Sequence, residues 1–218
     1  MKNIPRIFIG TNISPKTTVA VDKSVSHYLS HVMRRNDCLV FGDGFEYSAT
    51  LNADGKSLSI GNRTEHTDPS NDITLYFAPI KKLDDMLNMA TQMGVAKFVP
   101  VITERTVAKH INWERMKKIV TEAAEQSNRN TVPIISEPIK FNDLPFDKII
   151  FADERAAYGR DLPREYNNVT DVFVGPEGGF SDFEFEMLDK SGARGMSLGK
   201  TILRAELAAP IAISRVIK

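Results

Sequence analysis

The stretch Asp171-Val-Phe-Val-Gly-Pro-Glu-Gly-Gly-Phe180 decides how the C-terminal part of this 218-residue chain folds. A short apolar run ends at a glycine and is followed by a loop that opens a helix. A second edge of the same kind follows at Ser197-Leu-Gly-Lys-Thr-Ile-Leu-Arg-Ala-Glu206. Proteins of the α/β class hold ligands in this way at the carboxyl ends of parallel strands. We therefore expect one pocket with these two stretches as its edges.

The first edge carries its own helix start. Ser181 and Glu184 have the spacing of a capping box, so the helix is predicted to begin at Asp182. The glycines of residues 175–179 let backbone amides approach a ligand, and Pro176 stiffens the turn. A strand-to-helix turn that needs glycine for its geometry alone explains the same residues, which leaves this stretch undecided when taken by itself.

The second edge contains Gly199-Lys200-Thr201, which is similar to the end of a phosphate-binding loop. The full pattern needs a glycine five positions before Gly199, where the chain has Arg194. The G-x-G-x-x-G fingerprint of dinucleotide-binding folds is missing as well. We therefore do not expect a nucleoside triphosphate as the ligand.

Composition narrows the class of protein. Lys+Arg and Asp+Glu both number 28, so any RNA-binding surface must be a local patch rather than a field of the whole chain. The single cysteine, Cys38, excludes an intramolecular disulfide and a thiolate-rich zinc site, and it fits a reducing, cytosolic setting. The histidines lack metal-ligand spacing, and no apolar run approaches the ~18 residues of a membrane span. We expect no metal, no membrane and no signal peptide.

The N-terminal part predicts a small, mostly β domain over residues 1–68. A strand at 6–9 and a helix at 24–35 precede three alternating segments, with turns at Asp43-Gly44 and Asp54-Gly55. Those segments cover residues 38–41, 46–51 and 56–60. The polar, aperiodic residues 61–72 predict a linker.

Residues 72–218 predict a second domain of the α/β class. Short buried strands at 73–78, 97–102, 133–136, 148–152, 172–174 and 195–198 alternate with helices. Those helices cover residues 83–93, 112–128 with Asn112 as N-cap, the stretch after Ser181, and 202–216. Strands bracketed by helices indicate a parallel sheet covered on both faces.

These motifs in combination resemble the SPOUT superfamily of methyltransferases. Val174-Gly-Pro-Glu-Gly-Gly179 together with Leu198-Gly-Lys-Thr-Ile-Leu-Arg-Ala-Glu206 is similar to its C-terminal motifs. More narrowly, the chain resembles the ribosomal RNA small-subunit methyltransferase E family, which methylates uridine N3 in 16S rRNA. Glu104-Arg105 and residues 122–129 with Pro133 fit that family's mid-domain motifs.

The resemblance covers nearly the whole chain, because Ile4-Pro-Arg-Ile-Phe8 and residues 27–34 fit the family's N-terminal PUA-like domain. It implies a PUA-like barrel, a deep trefoil knot in the second domain, and a cytoplasmic homodimer whose RNA contacts both subunits within the small ribosomal subunit. It also implies S-adenosylmethionine as cofactor, and a sulfonium cofactor without phosphates agrees with the missing phosphate loop. The implied cofactor-binding residues are Val174, Gly175, Pro176, Glu177, Gly178, Gly179, Leu198, Gly199, Ile202, Leu203 and Arg204.

The candidate catalytic residues are Arg204 and Glu206. Removing the uridine imide proton leaves charge on the uracil oxygens that Arg204 would stabilise, while Glu206 would accept the proton or orient Arg204. Residues two apart do not share a helix face, so both can serve one site only if the helix start is irregular. A solvated ion pair at a helix start is the structural alternative.

The candidate RNA-binding residues are Arg6, Arg34, Arg35 and Arg129. A solvated helix end explains Arg34 and Arg35 as well as phosphate contacts do, and Arg129 is open to substrate or to a partner subunit. The chain departs from the family at Met89, Gln92 and Met93-Gly94, which puts in doubt any RNA contact through that helix. Two other hypotheses stay open, a SPOUT enzyme acting on another rRNA or tRNA nucleotide and a non-catalytic RNA-binding protein.

Overall fold

The computed structural model describes residues 4–10, 12–42, 44–68, 72–107, 111–166 and 169–217. By its internal contacts the chain divides into two compact units. The first consists of residues 1–69 and 121–132, and the second of residues 70–120 and 133–218. The segment 121–132 therefore belongs to the first unit, although the sequence pattern places it in the second domain.

The first unit contains a five-stranded sheet. Its order is β1 (Arg6–Phe8), β3 (Asp37–Phe41), β4 (Glu46–Leu51), β5 (Ser57–Arg63) and β2 (Thr18–Ala20). Strand β1 is parallel to β3, and the other described pairs are antiparallel. The β4–β5 turn is the predicted one, with Gly55 at a φ of +63°. Asp43 of the other predicted turn lies outside the described residues.

The helix predicted at 24–35 is only partly α-helical. Helix α1 (Lys23–His27) continues as a π-helical segment, Tyr28–Met33, and Arg34 ends it with a left-handed φ of 52°. The predicted linker 61–72 is also partly ordered, because β5 extends to Arg63 and Thr64 donates a hydrogen bond to the buried Glu46 carboxylate.

The second unit is built on a parallel sheet, which confirms the α/β class. The strands are β6 (Ile73–Phe77), β7 (Val95–Ile102), β8 (Ile134–Ile135), β9 (Ile139–Lys140), β10 (Ile149–Ala152), β11 (Asp171–Val174) and β12 (Arg194–Met196). Their order is β12-β10-β11-β6-β7-β8, with β9 beside β7. All described pairings in this unit are parallel. Strand β9 escaped prediction because two residues carry no periodicity.

The helices of the second unit are α2 (Leu83–Gln92), α4 (Asp182–Lys190) and α5 (Ala205–Ser214), while α3 (Trp113–Gln126) begins in the second unit and ends in the first. Helix α3 begins as predicted, since Asn112 accepts a hydrogen bond from the Arg115 N–H at 3.0 Å. Helix α5 begins later than predicted, because Arg204 still has an extended backbone. Among the described helices, none is both long and apolar enough to cross a membrane.

The strand order places a ligand site before any side chain is considered. The chain passes from β6 to β7 and β8 on one side of the sheet, and β11 then lies on the other side of β6. Where the strand order reverses, the loops at the carboxyl ends diverge and leave a crevice that commonly binds ligands. The loops after β6 and β11 meet at such a point.

Candidate functional site

A cavity of about 820 Å³ opens at this edge of the second unit. Volumes of roughly 300–1,000 Å³ are typical of small-molecule sites. The loops after β6, β10 and β11 form its wall together with residues 198–206. The structure brings together around it every residue predicted to bind a cofactor: Val174, Gly175, Pro176, Glu177, Gly178, Gly179, Leu198, Gly199, Ile202, Leu203 and Arg204.

The first edge ends in the predicted capping box. The Glu184 N–H donates to Ser181 Oγ, and Glu184 Oε2 accepts from the Ser181 N–H at 2.9 Å, so α4 begins at Asp182. Glu184 is only 2% exposed, and its second oxygen accepts from the Glu104 N–H at 2.8 Å. One buried carboxylate therefore joins the helix start to the loop after β7.

The glycines of this edge have different structural reasons. A Cβ on Gly175 would lie 2.7 Å from the buried Phe180 ring, and one on Gly179 would lie 2.4 Å from Glu154 Oε1. Gly179 also has a φ of +68°, which residues other than glycine rarely adopt. A Cβ on Gly178 would make an ordinary contact, 3.6 Å from Arg105. Geometry alone thus requires Gly175 and Gly179 but not Gly178.

Two charged residues against this edge were not among the predicted site residues. Arg105 Nη1 donates to the carbonyl oxygens of Gly178 at 3.0 Å and Phe180 at 3.1 Å. Glu154 lines the cavity directly after β10, and burial raises the pKa of its carboxyl. The sequence did signal Arg105 through the Glu104-Arg105 motif, but its partners lie 73 and 75 residues away in the sequence.

The second edge lacks regular secondary structure between β12 and α5. Arg215 holds it from the end of α5 by donating to the carbonyl oxygens of Ser197 and Leu198. Arg204 is the N-cap residue of α5, with φ −66° and ψ 149°, and Glu206 lies in the first turn. Because Arg204 stands outside the helical geometry, both it and Glu206 reach the cavity wall.

Further charges come from the loop after β6. Lys82 Nζ lies 3.8 Å from Glu206 Oε1, and the Lys81 N–H donates to Glu177 Oε1 at 3.3 Å. Glu206 is mostly buried, with its side chain 13% exposed, while that of Lys82 is 53% exposed. Within the part of the chain that the structure describes, no group of three or more His, Cys, Asp or Glu residues could hold a metal ion.

Two of the four predicted RNA-binding arginines are buried, and the prediction is wrong for them. The Arg6 side chain is 7% exposed, forms a 2.8 Å ion pair with Glu46, and donates to the carbonyl oxygens of Ala124 and Arg129. Its remaining nitrogen donates to Asn130. Arg129 is 9% exposed, and burial lowers the pKa of its guanidinium. These side chains hold segment 121–132 to the N-terminal sheet of the same unit.

The other two lie at the surface of the first unit. Arg34 is exposed at the end of the π-helical segment. Arg35 forms a bidentate ion pair with Asp37. Its Nε and Nη2 donate to the two carboxylate oxygens of Asp37. Of the four, Arg34 is therefore the residue best placed for a phosphate contact. Met89 and Gln92 lie on α2 and are not part of the cavity wall.

Comparison with known proteins decides the family. The model of the RNA methyltransferase domain matches residues 67–217. A ribosomal RNA small subunit methyltransferase E from Rickettsia conorii is 36% identical, over 97% of this chain and 94% of its own length. The chain belongs to the ribosomal RNA small subunit methyltransferase E family. A member from Synechocystis sp. is 31% identical over 92% of this chain and 73% of its own.

A solved structure agrees with this membership. The family member from Neisseria gonorrhoeae, determined bound to S-adenosyl methionine, superposes with a TM-score of 0.82 and 28% identity. The match covers 97% of this chain and 96% of that one. The shared fold therefore extends over both units and is not confined to the domain that the family model describes.

Proposed function

We propose that the protein is an S-adenosylmethionine-dependent methyltransferase that modifies N3 of a uridine in 16S rRNA of the small ribosomal subunit. The observation that carries this proposal is the convergence of the two glycine edges on one cavity, with Arg204 and Glu206 in its wall. The names of the family members supply the substrate class. The uridine N3 position comes from the resemblance of the motifs.

The cavity wall fits this cofactor. Gly175, Gly178 and Gly179 line the cavity, and because they carry no side chains the first edge offers mainly backbone to a ligand. The wall combines backbone and the apolar Val174, Leu198, Ile202 and Leu203 with charged side chains of both signs, which suits an adenosyl group and a sulfonium-bearing amino-acid chain better than a polyphosphate. When bound, S-adenosylmethionine supplies an electrophilic methyl group. Residues 174–179 and 198–204 would hold it.

The residues of the second edge carry the proton chemistry. The imide nitrogen of uridine must lose its proton before or during attack, and Glu206, one of several carboxylates in the wall, lies two residues from Arg204 and would accept it. Arg204 donates hydrogen bonds to the uracil oxygens on which charge develops. The extended backbone at Arg204 lets both side chains act on one base. Correct placement of the two reactants lowers the activation free energy by roughly 7–11 kcal/mol at most.

Backbone contacts near the C-terminus support the proposed trefoil knot. The Ser197 N–H donates to Pro163 O at 2.8 Å, and Arg215 donates to Arg164 O at 3.2 Å. Tyr166 Oη donates to Gly195 O at 2.8 Å. Residues 195–215 thus run against the segment 163–166 on both sides of the second edge. We further propose that residues 1–68 form a PUA-like RNA-binding domain and residues 72–218 the SPOUT domain.

The remaining proposals concern partners and setting. Ile202, Leu207 and Phe183 are 59%, 46% and 57% exposed near the cavity side of the second unit, which supports a homodimer contact there. The balanced charge supports recognition of RNA by shape within the assembled subunit, and the lone buried Cys38 supports a reducing cytoplasm.

Mapping of ribosomal RNA by mass spectrometry, in cells lacking the protein, tests the substrate assignment. We expect one N3-methyluridine of 16S rRNA to disappear and to return with the wild-type gene but not with Arg204→Ala. Because Arg204 is also one of the residues proposed to hold the cofactor, calorimetry on the purified Arg204→Ala protein separates lost S-adenosylmethionine binding from lost catalysis. Persistence of the 16S methyluridine would contradict the substrate, and normal methylation by Arg204→Ala would contradict the catalytic role.

A further inference from the structure

The turn that follows β7 is held by hydrogen bonds of buried side chains. The Thr103 N–H donates to Thr106 Oγ1 at 2.9 Å, and the two threonine hydroxyls hydrogen-bond each other at 2.7 Å. Both threonines are buried, at 5% and 9% exposure. The Glu104 N–H is fixed by the Glu184 carboxylate. This turn therefore fixes the backbone on both sides of Arg105, whose side chain is exposed.

The Arg105 side chain binds backbone carbonyl oxygens of the glycine-rich edge. One guanidinium nitrogen donates to the carbonyl oxygens on either side of Gly179, those of Gly178 and Phe180. The aliphatic part of Arg105 lies along the open side of Gly178, where an added Cβ would be 3.6 Å away. A charged donor shared by two carbonyls restricts a turn more than a neutral hydrogen bond does.

Glu154 contacts the same turn from another strand end. Its Oε1 lies where a Cβ of Gly179 would come within 2.4 Å, and burial raises the pKa of its carboxyl while the nearby Phe180 N–H lowers it. The residues on either side of Glu154 in the sequence, Asp153 and Arg155, form an ion pair. Arg155 donates to Asp153 at 2.8 Å through Nε and at 2.7 Å through Nη2. Glu154 is thus supported by β10, and Arg105 by β7.

We infer that Arg105 and Glu154 are positioning residues that clamp the turn 178–180 and so preform the cofactor edge of the cavity. A loop with three glycines has many conformations when free, and each of them must be given up when a ligand binds. The side chains of Arg105 and Glu154, from the loops after β7 and β10, order the turn when the protein folds. Less conformational entropy is then lost when the ligand binds. The inference rests on the proposed cofactor, but its first test does not need the cofactor.

Amide hydrogen exchange on the ligand-free protein tests the clamp directly. We expect Arg105→Ala to raise exchange in residues 178–180 about tenfold or more, while the β-strand amides keep wild-type protection. Arg105→Lys should restore part of the protection, because an ammonium can reach one carbonyl. Arg115→Ala, which removes an exposed ion pair with Asp84, is the matched control and should leave the turn unchanged.

Calorimetry with S-adenosylmethionine then measures the consequence for binding. We expect Arg105→Ala and Glu154→Ala each to weaken cofactor affinity about tenfold. Glu154→Gln keeps an acceptor oxygen and should lose less than Glu154→Ala. The KM for S-adenosylmethionine should rise more than kcat falls, since both side chains contact the turn that holds the cofactor. Wild-type exchange in the turn together with wild-type affinity in Arg105→Ala would overturn the inference.

The two proposals fail in different ways. If the wild-type protein does not bind S-adenosylmethionine but Arg105→Ala still loosens the turn, the proposed function is wrong and the clamp stands. If the wild type binds the cofactor and neither Arg105→Ala nor Glu154→Ala alters exchange or affinity, the clamp is wrong and the function stands. Should Arg105→Ala fail to fold, Gly179→Ala disturbs the Glu154 contact from the loop side, because its Cβ would lie 2.4 Å from Glu154 Oε1, and it should raise exchange in the turn likewise.

Discussion

The two edges of the cavity are built in opposite ways. The first edge, residues 175–180, is gripped by side chains from other loops and ends in a capping box closed by the buried Glu184. The second edge, residues 198–206, has no regular structure before α5, and its charged side chains point at the cavity. The first edge supplies mainly backbone to the ligand, and the second supplies Arg204 and Glu206.

This difference indicates a division of labour. A surface made of backbone gives shape and must be fixed from outside, because glycines cannot fix themselves. Charged side chains do chemistry, and they are most effective when they already lie where charge develops in the transition state. We therefore expect changes in the first edge to alter cofactor affinity, and loss of the Glu206 carboxylate in the second edge to alter chiefly the rate of methyl transfer.

The strongest test of this division is Glu206→Gln. Loss of a well-placed general base lowers a rate by roughly 10²–10⁴-fold, so methylation should fall in that range while cofactor affinity is retained. Single-turnover methylation of small ribosomal subunits measures the rate, and calorimetry measures the affinity. Lys82→Met is the control, because it removes the partner at 3.8 Å and leaves the carboxylate in place. If the Glu206→Gln protein methylates at the normal rate, Glu206 is not the proton acceptor.

The opposite signature is expected at Gly175. Its added Cβ would lie 2.7 Å from the Phe180 ring, which packs edge-on against Phe151 and beside Phe173 and cannot move aside. Overpacking of this kind costs about 1–3 kcal/mol, so Gly175→Ala should lose cofactor affinity and stability. Gly178→Ala, with no close contact, is the matched variant that should bind nearly normally. Equal affinities for the two variants would contradict the geometric argument.

A smaller effect should follow from loosening the second edge without touching its charges. Arg215→Met removes hydrogen bonds to Ser197, Leu198 and Arg164 carbonyl oxygens. Such a loss costs about 1–3 kcal/mol, or roughly 2–4 °C in melting temperature for each kcal/mol. Scanning calorimetry measures the shift. If the protein melts normally but methylates slowly, Arg215 orders the edge for the reaction alone.

The smallest expected effect concerns the ion pairs behind the first edge. Hydrogen bonds from Arg155, with help from Arg160, lower the pKa of Asp189 to about 2 from an ordinary 3.8. Because the folded pKa is lowered, the stabilisation is complete above about pH 4 and disappears as the pH falls through about 2. Asp189→Asn should therefore cost under ~1 kcal/mol at pH 7, since the charges are partly exposed, and only a small part of that at pH 2. Urea unfolding at both values measures it.

The features that the sequence predicted correctly depend on near neighbours or on the alternation of whole elements. The Ser181–Glu184 box and the Asn112 cap are set by residues three apart, and both are present. The order of strands and helices predicted a parallel sheet because each buried strand is short and followed by a helix. The condition set for Arg204 and Glu206, an irregular helix start, is met by the N-cap geometry of Arg204.

The errors share one cause, which is dependence on distant partners. Arg6 looked like a free cation, but its partners Glu46 and Asn130 are 40 and 124 residues away. Arg105 was part of a recognised motif without a role, because the carbonyls that it grips lie on another strand end. No local pattern distinguishes an arginine that binds RNA from one that is satisfied inside the protein.

The sequence by itself therefore determined the element types, the two glycine edges, the absence of a phosphate loop and the family. Those features depend on periodicity, spacing and backbone freedom, all of which are local. Only the tertiary structure decided that the edges share one cavity, that Arg105 and Glu154 hold the first of them, and that Arg6 and Arg129 are buried. Hydrogen-bond partners and burial are set by which strands become neighbours, and the chain order alone does not state that.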